Sequence, residues 1–123
     1  MTVDTIAERL GIRPGTTLWF QPVEWLRVLG PLPPGVRMTG EFAGASVAVL
    51  FVSNAESMQW FFRRYGTVVL APTAVWICAP NQPRAAFDRR YLATILAGHR
   101  LHGVAEVPLD AAWTAVRLGR TAP

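Results

Sequence analysis

Apolar positions along the chain fall into two kinds of pattern. "SVAVLFV" (46–52) and "AVWICAP" (74–80) are continuous apolar runs, rich in β-branched residues and without polar alternation. Strands covered on both faces have this composition. "TTLWF" predicts a further strand over 16–20, and another is expected over 36–39. Helical spacing appears between them. Val3, Ile6, Ala7 and Leu10 predict a helix over 4–10 that stops at Gly11. Val23, Leu26 and Leu29 predict a short one beginning at Pro22, which suits the first helical position. Ser53 and Glu56 form an S-x-x-E capping box ahead of Met58, Phe61, Phe62 and Tyr65. The segment "GTVVLAP" reads as strand by its residue types, yet Val68 and Val69 prolong the helical stripe. Two buried parallel strands need a crossover, so the helix is extended to about Leu70. A last helix, capped by Asp88, carries Leu92, Ile95 and Leu96 and stops at Gly98. "GPLPPG" (30–35) must be irregular, and 100–120 reads as two strands joined by a turn over 108–112. From the first strand on, the order β-α-β-β-α-β-α-β-β predicts an α/β fold. Its mostly parallel sheet carries helices on both faces, and an antiparallel C-terminal hairpin makes one edge.

Composition narrows the class. At 123 residues and 51% hydrophobic content, the chain fits one domain spanning 1–123 that buries a core, and not a disordered segment. No apolar run approaches the ~20 residues of a membrane span. The start, "MTVDTIAERLG", carries Asp4 and Glu8 and lacks the apolar stretch of a signal peptide. Cys78 is the lone cysteine, which excludes an internal disulfide and fits a reducing cytoplasm. All basic residues are arginine, a bias that the codons of a GC-rich genome explain. A net charge of +4 permits attraction to anions without demanding it.

Ligands of open α/β sheets bind beyond the carboxyl ends of the strands, where the strand order reverses. The side chains expected at such a crevice are Gln21, Glu41, Asn54, Asn81 and Arg84. A phosphate cradle would need glycines after the first strand, but Gln21-Pro22 stand there. Glu41 is placed to hold ribose hydroxyls, although an ordinary surface carboxylate is the plainer reading. Arg84, Arg89 and Arg90 near a helix start suggest an anion pocket, set against a simple solvated basic face. The tryptophans Trp19, Trp60 and Trp76 sit in apolar contexts and read as core, and no nucleic-acid motif is present. Cys78, His99 and His102 form no known metal-ligand set, and Ser46 sits in no nucleophile elbow. In "LDAAWTAVR" (109–117), Trp113 and Arg117 share one strand face. Arg117 would brace the hairpin by pairing with Asp110 or Glu106, or the pair would contact a ligand.

Five segments in order, "LGIRPG", "LGPLPPGV", "VAVLFVSNAES", "VWICAP" and "WTAVRL", resemble a family of short bacterial proteins of unknown function. Members read L-G-[IF]-K-P-G near the start, W-[IV]-x-x-P-K in the middle and D-x-W-S-x-x-R at the end. The resemblance implies a bacterial protein with a minimal Rossmann-like sheet, similar in strand order to class I methyltransferases. The chain departs from the pattern at Asn81, where a lysine is usual, and at Thr114, where a serine is usual. The first change removes a cation from the crevice loop, leaving Arg84 as its nearest replacement.

The expectation is therefore a cytoplasmic, non-enzymatic binding or interaction module on a degenerate methyltransferase-like fold, with no cofactor and no metal. It would act through a protein partner or as a homodimer. The alternative is a binder of a small anionic ligand or nucleotide, or an enzyme, using the crevice. Whether Trp25 and Phe42 fill that crevice decides between them.

Overall fold

A computed structural model describes residues 5–82 and 87–121. Its elements are α1 (Ile6–Arg9), β1 (Thr17–Gln21), a 3₁₀ segment (Val23–Leu29), β2 (Arg37–Met38) and β3 (Val47–Phe51), followed by α2 (Ala55–Tyr65), a 3₁₀ turn (Gly66–Val68) and β4 (Ala74–Pro80), and finally α3 (Arg89–Gly98), β5 (Leu101–Pro108) and β6 (Trp113–Arg120). The six strands form one sheet in the order β2-β1-β3-β4-β6-β5. The first four pair in parallel, while β6 runs antiparallel to both neighbours. The hairpin thus does not simply add a reversed edge. β6 inserts between β4 and β5, so the edge strand β5 points the same way as the parallel set.

The apolar runs split cleanly by strand alternation. Val47, Val49, Phe51, Trp76, Cys78, Trp113 and Ala115 face one layer, covered by α1, the 3₁₀ segment and Leu32. Ala48, Leu50, Val52, Val75, Ile77, Val116 and Leu118 face the other, covered by α2 and α3 through Met58, Phe61, Phe62, Leu92 and Leu96. Both faces of β3 and β4 are buried throughout, which accounts for their uninterrupted apolar character.

Several boundaries differ from the sequence reading for local reasons. α2 is capped by Asn54, whose Oδ1 accepts the Ser57 N–H at 2.8 Å, so Ser53 and Glu56 do not form the capping box. α2 ends at Tyr65, and the turn beyond it tightens to 3₁₀ instead of continuing to Leu70. Gly66 follows directly, and the exposed Val68 gains little from staying on the stripe. Residues 66–68 are still not strand, as the crossover requires. Pro22 precedes the 3₁₀ segment instead of opening it. The second strand shrinks to two paired residues between the irregular "GPLPPG" and Gly40. α3 is capped by Asp88 and β4 spans 74–80, both as expected. The first helix is shorter than expected and is capped by Thr5, whose Oγ1 accepts the Glu8 N–H.

Candidate functional site

Strand order reverses around β1, since β2 lies on one side of it and β3 on the other. Beyond the carboxyl ends of β1 and β3 the structure holds a crevice of about 480 Å³. That volume suits a small organic ligand. Gln21 closes β1 in register with Leu50, and the chain turns away through Pro22, after a cis Gln21–Pro22 peptide. No glycine lines the crevice, so no backbone cradle is offered to a phosphate.

Its wall is aromatic. Trp25, Phe51 and Trp113 form a closed triangle with ring centroids 4.9–5.2 Å apart. Trp25 meets Trp113 edge-on at 86°, the geometry ring quadrupoles favour. Each ring comes from a different layer of sequence: the 3₁₀ segment, the end of β3 and the start of β6. Opposite them, the first turns of α2 present Glu56, Ser57 and Trp60. Trp60 is 42% exposed, so it is not the core residue its apolar context suggested. Phe42 lies elsewhere, in the layer under α2, edge-on to Trp19 at 5.1 Å and stacked on Tyr65 at 4.7 Å. The crevice is therefore open, with Trp25 as wall and not as plug.

Of the five side chains anticipated, Gln21 and Asn54 line the crevice. Glu41 is exposed in the loop after β2, where its N–H bonds Thr39 Oγ1, and it lies off the crevice wall. Asn81 is committed to the hairpin. Its Nδ2 donates to the carbonyls of Asp110 and Ala111, and its Oδ1 accepts from Thr114 Oγ1 at 2.6 Å. Arg84 lies outside the described residues. Near the start of α3, Asp88 Oδ1 already accepts the Tyr91 N–H and Arg89 pairs with Glu106 at 3.0 Å. Among the described residues that depression is lined by Asn81, Asp88, Arg89, Arg90 and Ala93, so the two arginines stand there beside the one carboxylate of Asp88.

The expected brace also separates into two parts. Trp113 joins the crevice wall, while Arg117 sits toward the opposite end of β6 and donates to the Thr73 carbonyl at 3.2 Å. Neither suggested acid is its partner. Asp110 instead accepts the N–H groups of Ala112 and Trp113, and Glu106 holds Arg89. Cys78 is fully buried in β4, and burial pushes its thiol far above the ordinary range, which keeps it protonated and inert. His99 stacks on Phe62 at 3.9 Å, a packing role. Among the described residues no group of three His, Cys, Asp or Glu side chains is placed to share a metal. No described helix is long and apolar enough to cross a membrane.

No family model and no curated protein matches the chain. Solved structures do. A protein of the NADB-Rossmann superfamily from Streptococcus agalactiae matches at a TM-score of 0.55 and 10% identity, over 98% of this chain and 70% of that one. A ribosomal protein L11 methylase from Lactobacillus delbrueckii subsp. bulgaricus matches at 0.51 and 10%, over 94% and 74%. A candidate tRNA (m1A22) methyltransferase from Streptococcus pneumoniae, solved with S-adenosyl-L-methionine, matches at 0.52 and 12%, over 94% and 73%. The fold is that of the Rossmann-like methyltransferases. At these identities the likeness concerns fold alone, since one superfold hosts many functions. The sequence signal that would have found Trp60 is positional, while Trp113, already named as a brace or ligand contact, joins it at the crevice. Trp60 falls one helical turn after Glu56, and Trp113 pairs with Pro80, at the carboxyl end of β4.

Proposed function

We propose that the protein is a non-catalytic binding module whose switch-point crevice takes a small, flat organic molecule that is uncharged or cationic. The observation that carries this reading is the triangle of Trp25, Phe51 and Trp113 on the same wall as Glu56, the one charged side chain among the described lining residues. Aromatic faces attract flat rings and cations, and a carboxylate on the wall disfavours an anion. Gln21, Ser53, Asn54 and Ser57 add the few polar groups that orient a ligand. Glu56 is also the one titratable group among the described residues that line the crevice, so among them no acid–base pair is at hand to move protons between reactants. This favours binding over catalysis.

S-Adenosylmethionine combines a flat base with a sulfonium cation, and the pneumococcal neighbour was solved with it, so it heads the ligand classes to test. Thermal unfolding is measured with S-adenosylmethionine, adenosine, ADP and inorganic phosphate. Ligand at a hundredfold excess over its Kd stabilises by about 2.7 kcal/mol, several degrees for a chain of this size. The expected outcome is a rise with adenosine or S-adenosylmethionine that Trp25→Ala abolishes, with none from phosphate through this crevice. No rise with either flat compound, together with a dimer on light scattering, would favour an interaction module acting through protein contacts.

A further inference from the structure

Charge is segregated along the strand direction. Carboxylates gather at the carboxyl end of the sheet: Glu24 opens the 3₁₀ segment, Glu56 lies in the first turn of α2, Asp88 caps α3, and Asp110 sits in the β5–β6 turn. Most described arginines gather at the amino end, whereas Arg89 and Arg90 stand beside Asp88 at the other. Arg37 opens β2, Arg63 and Arg64 close α2, Arg100 precedes β5 and Arg120 ends the reversed β6. Within that basic end lies a second cavity, of about 480 Å³, walled by Arg9, Arg13 and Arg117 with Glu8 as the one described carboxylate.

We propose that this basin binds a small molecule through a diphosphate group, held by Arg9, Arg13 and Arg117. Each guanidinium presents a planar fork of five N–H donors that matches phosphate oxygens. Arg117 is half-buried and donates one hydrogen bond, to the Thr73 carbonyl, which leaves most of its fork to face the basin. Among the described residues Arg9 and Arg13 take part in no ion pair, so their charge is not already answered. The floor is held in place: the buried Trp76 indole N–H donates to the Leu10 carbonyl at 2.9 Å, and Thr16 Oγ1 accepts the Arg13 N–H at 2.9 Å. Ser46 and Thr73 add hydroxyls on the same wall. Three cations against one carboxylate call for a multiply charged anion, and the surrounding arginines strengthen the local positive potential. This site lies at the opposite end of the strands from the crevice and does not depend on it.

Titration calorimetry with inorganic pyrophosphate, in low-salt buffer free of phosphate, tests the proposal. Saturable one-to-one binding is expected, weakened about tenfold or more by Arg13→Gln and by Arg117→Gln. Arg63→Gln combined with Arg64→Gln, on the same end but off the basin wall, changes it less than about twofold because exposed charges are screened. The indole N–H resonance of Trp76 shifts on binding, and Trp25→Ala leaves the affinity unchanged. Should Arg117→Gln fail to fold, the exposed Arg13→Gln carries the comparison alone. Absence of binding at millimolar pyrophosphate would overturn the proposal, as would equal losses from the basin and off-basin variants. Binding of a ten-nucleotide single strand that pyrophosphate does not displace would overturn it too, in favour of a general polyanion surface.

Discussion

Asn54 shows how far a single residue can be read from its neighbours. Ser53 and Asn54 are both good helix caps, and spacing to Glu56 favoured Ser53. The end of β3 carries the chain one residue further, so Asn54 holds the extended backbone of the cap and bonds the Ser57 N–H. Asn54→Ala should therefore cost about 1 kcal/mol in urea unfolding, while Ser53→Ala should change stability by only a few tenths. The reverse order would place the cap at Ser53. Cys78 gives a second residue-level prediction. Burial raises its pKa, so the native thiol stays protonated after the unfolded chain begins losing the proton above about pH 8.5. The unfolded state then binds fewer protons than the native one, and stability falls as pH rises. Above about pH 9 the wild type should lose stability with rising pH more steeply than Cys78→Ala does. Parallel pH profiles for the two would show that the thiol is accessible or ionised in the fold.

Whole elements were legible where burial was complete. β3 and β4 announced themselves because both their faces meet helices, leaving no position where a polar residue is tolerated. The Asp88 cap and the end of α3 at Gly98 were equally plain. β5 is less plain, being exposed over most of its length at the sheet edge. Its bulge between Gly103 and Ala105 twists that edge, which discourages pairing with another chain. The hairpin depends on close approach across the pair. A Cβ at Gly119 would collide with Val104 Cγ1, and valine is stiff about χ1. Gly119→Ala should destabilise by about 1–3 kcal/mol in chemical denaturation, and Val104→Ala, at an exposed position, should restore most of the loss. Additive losses in the double variant would show that the strain lies in the backbone. Asn81 ties the same hairpin turn to β4. Asn81→Ala should speed amide exchange over 109–114 while leaving α2 protected, and unchanged exchange would remove the brace.

At the scale of the whole molecule, sequence order conceals what the sheet brings together. The insertion of β6 between β4 and β5 carries Trp113 to the carboxyl end of the parallel strands. There it meets Trp25 and Phe51, from chain segments far apart in sequence. Periodicity alone sees three apolar residues, each plausible as core, and cannot see the wall they make. The missing glycines after β1 were visible from the start, and they remain the strongest argument against a phosphate cradle in the crevice. The segregation of arginines and carboxylates to opposite ends was invisible until strand directions were known. Most of the basic residues scattered along the chain share one end once the strands are aligned, with Arg89 and Arg90 at the other.

The indole N–H resonances of the five tryptophans report on the central claim together, in a ¹H–¹⁵N spectrum assigned by single Trp→Phe variants. Titration with adenosine or S-adenosylmethionine should move Trp25, Trp60 and the largely buried Trp113, which line the crevice, and leave Trp19 and Trp76, off its wall, in place. Five unmoved resonances at millimolar ligand, or shifts confined to Trp19 and Trp76, would contradict a ligand site at the switch point.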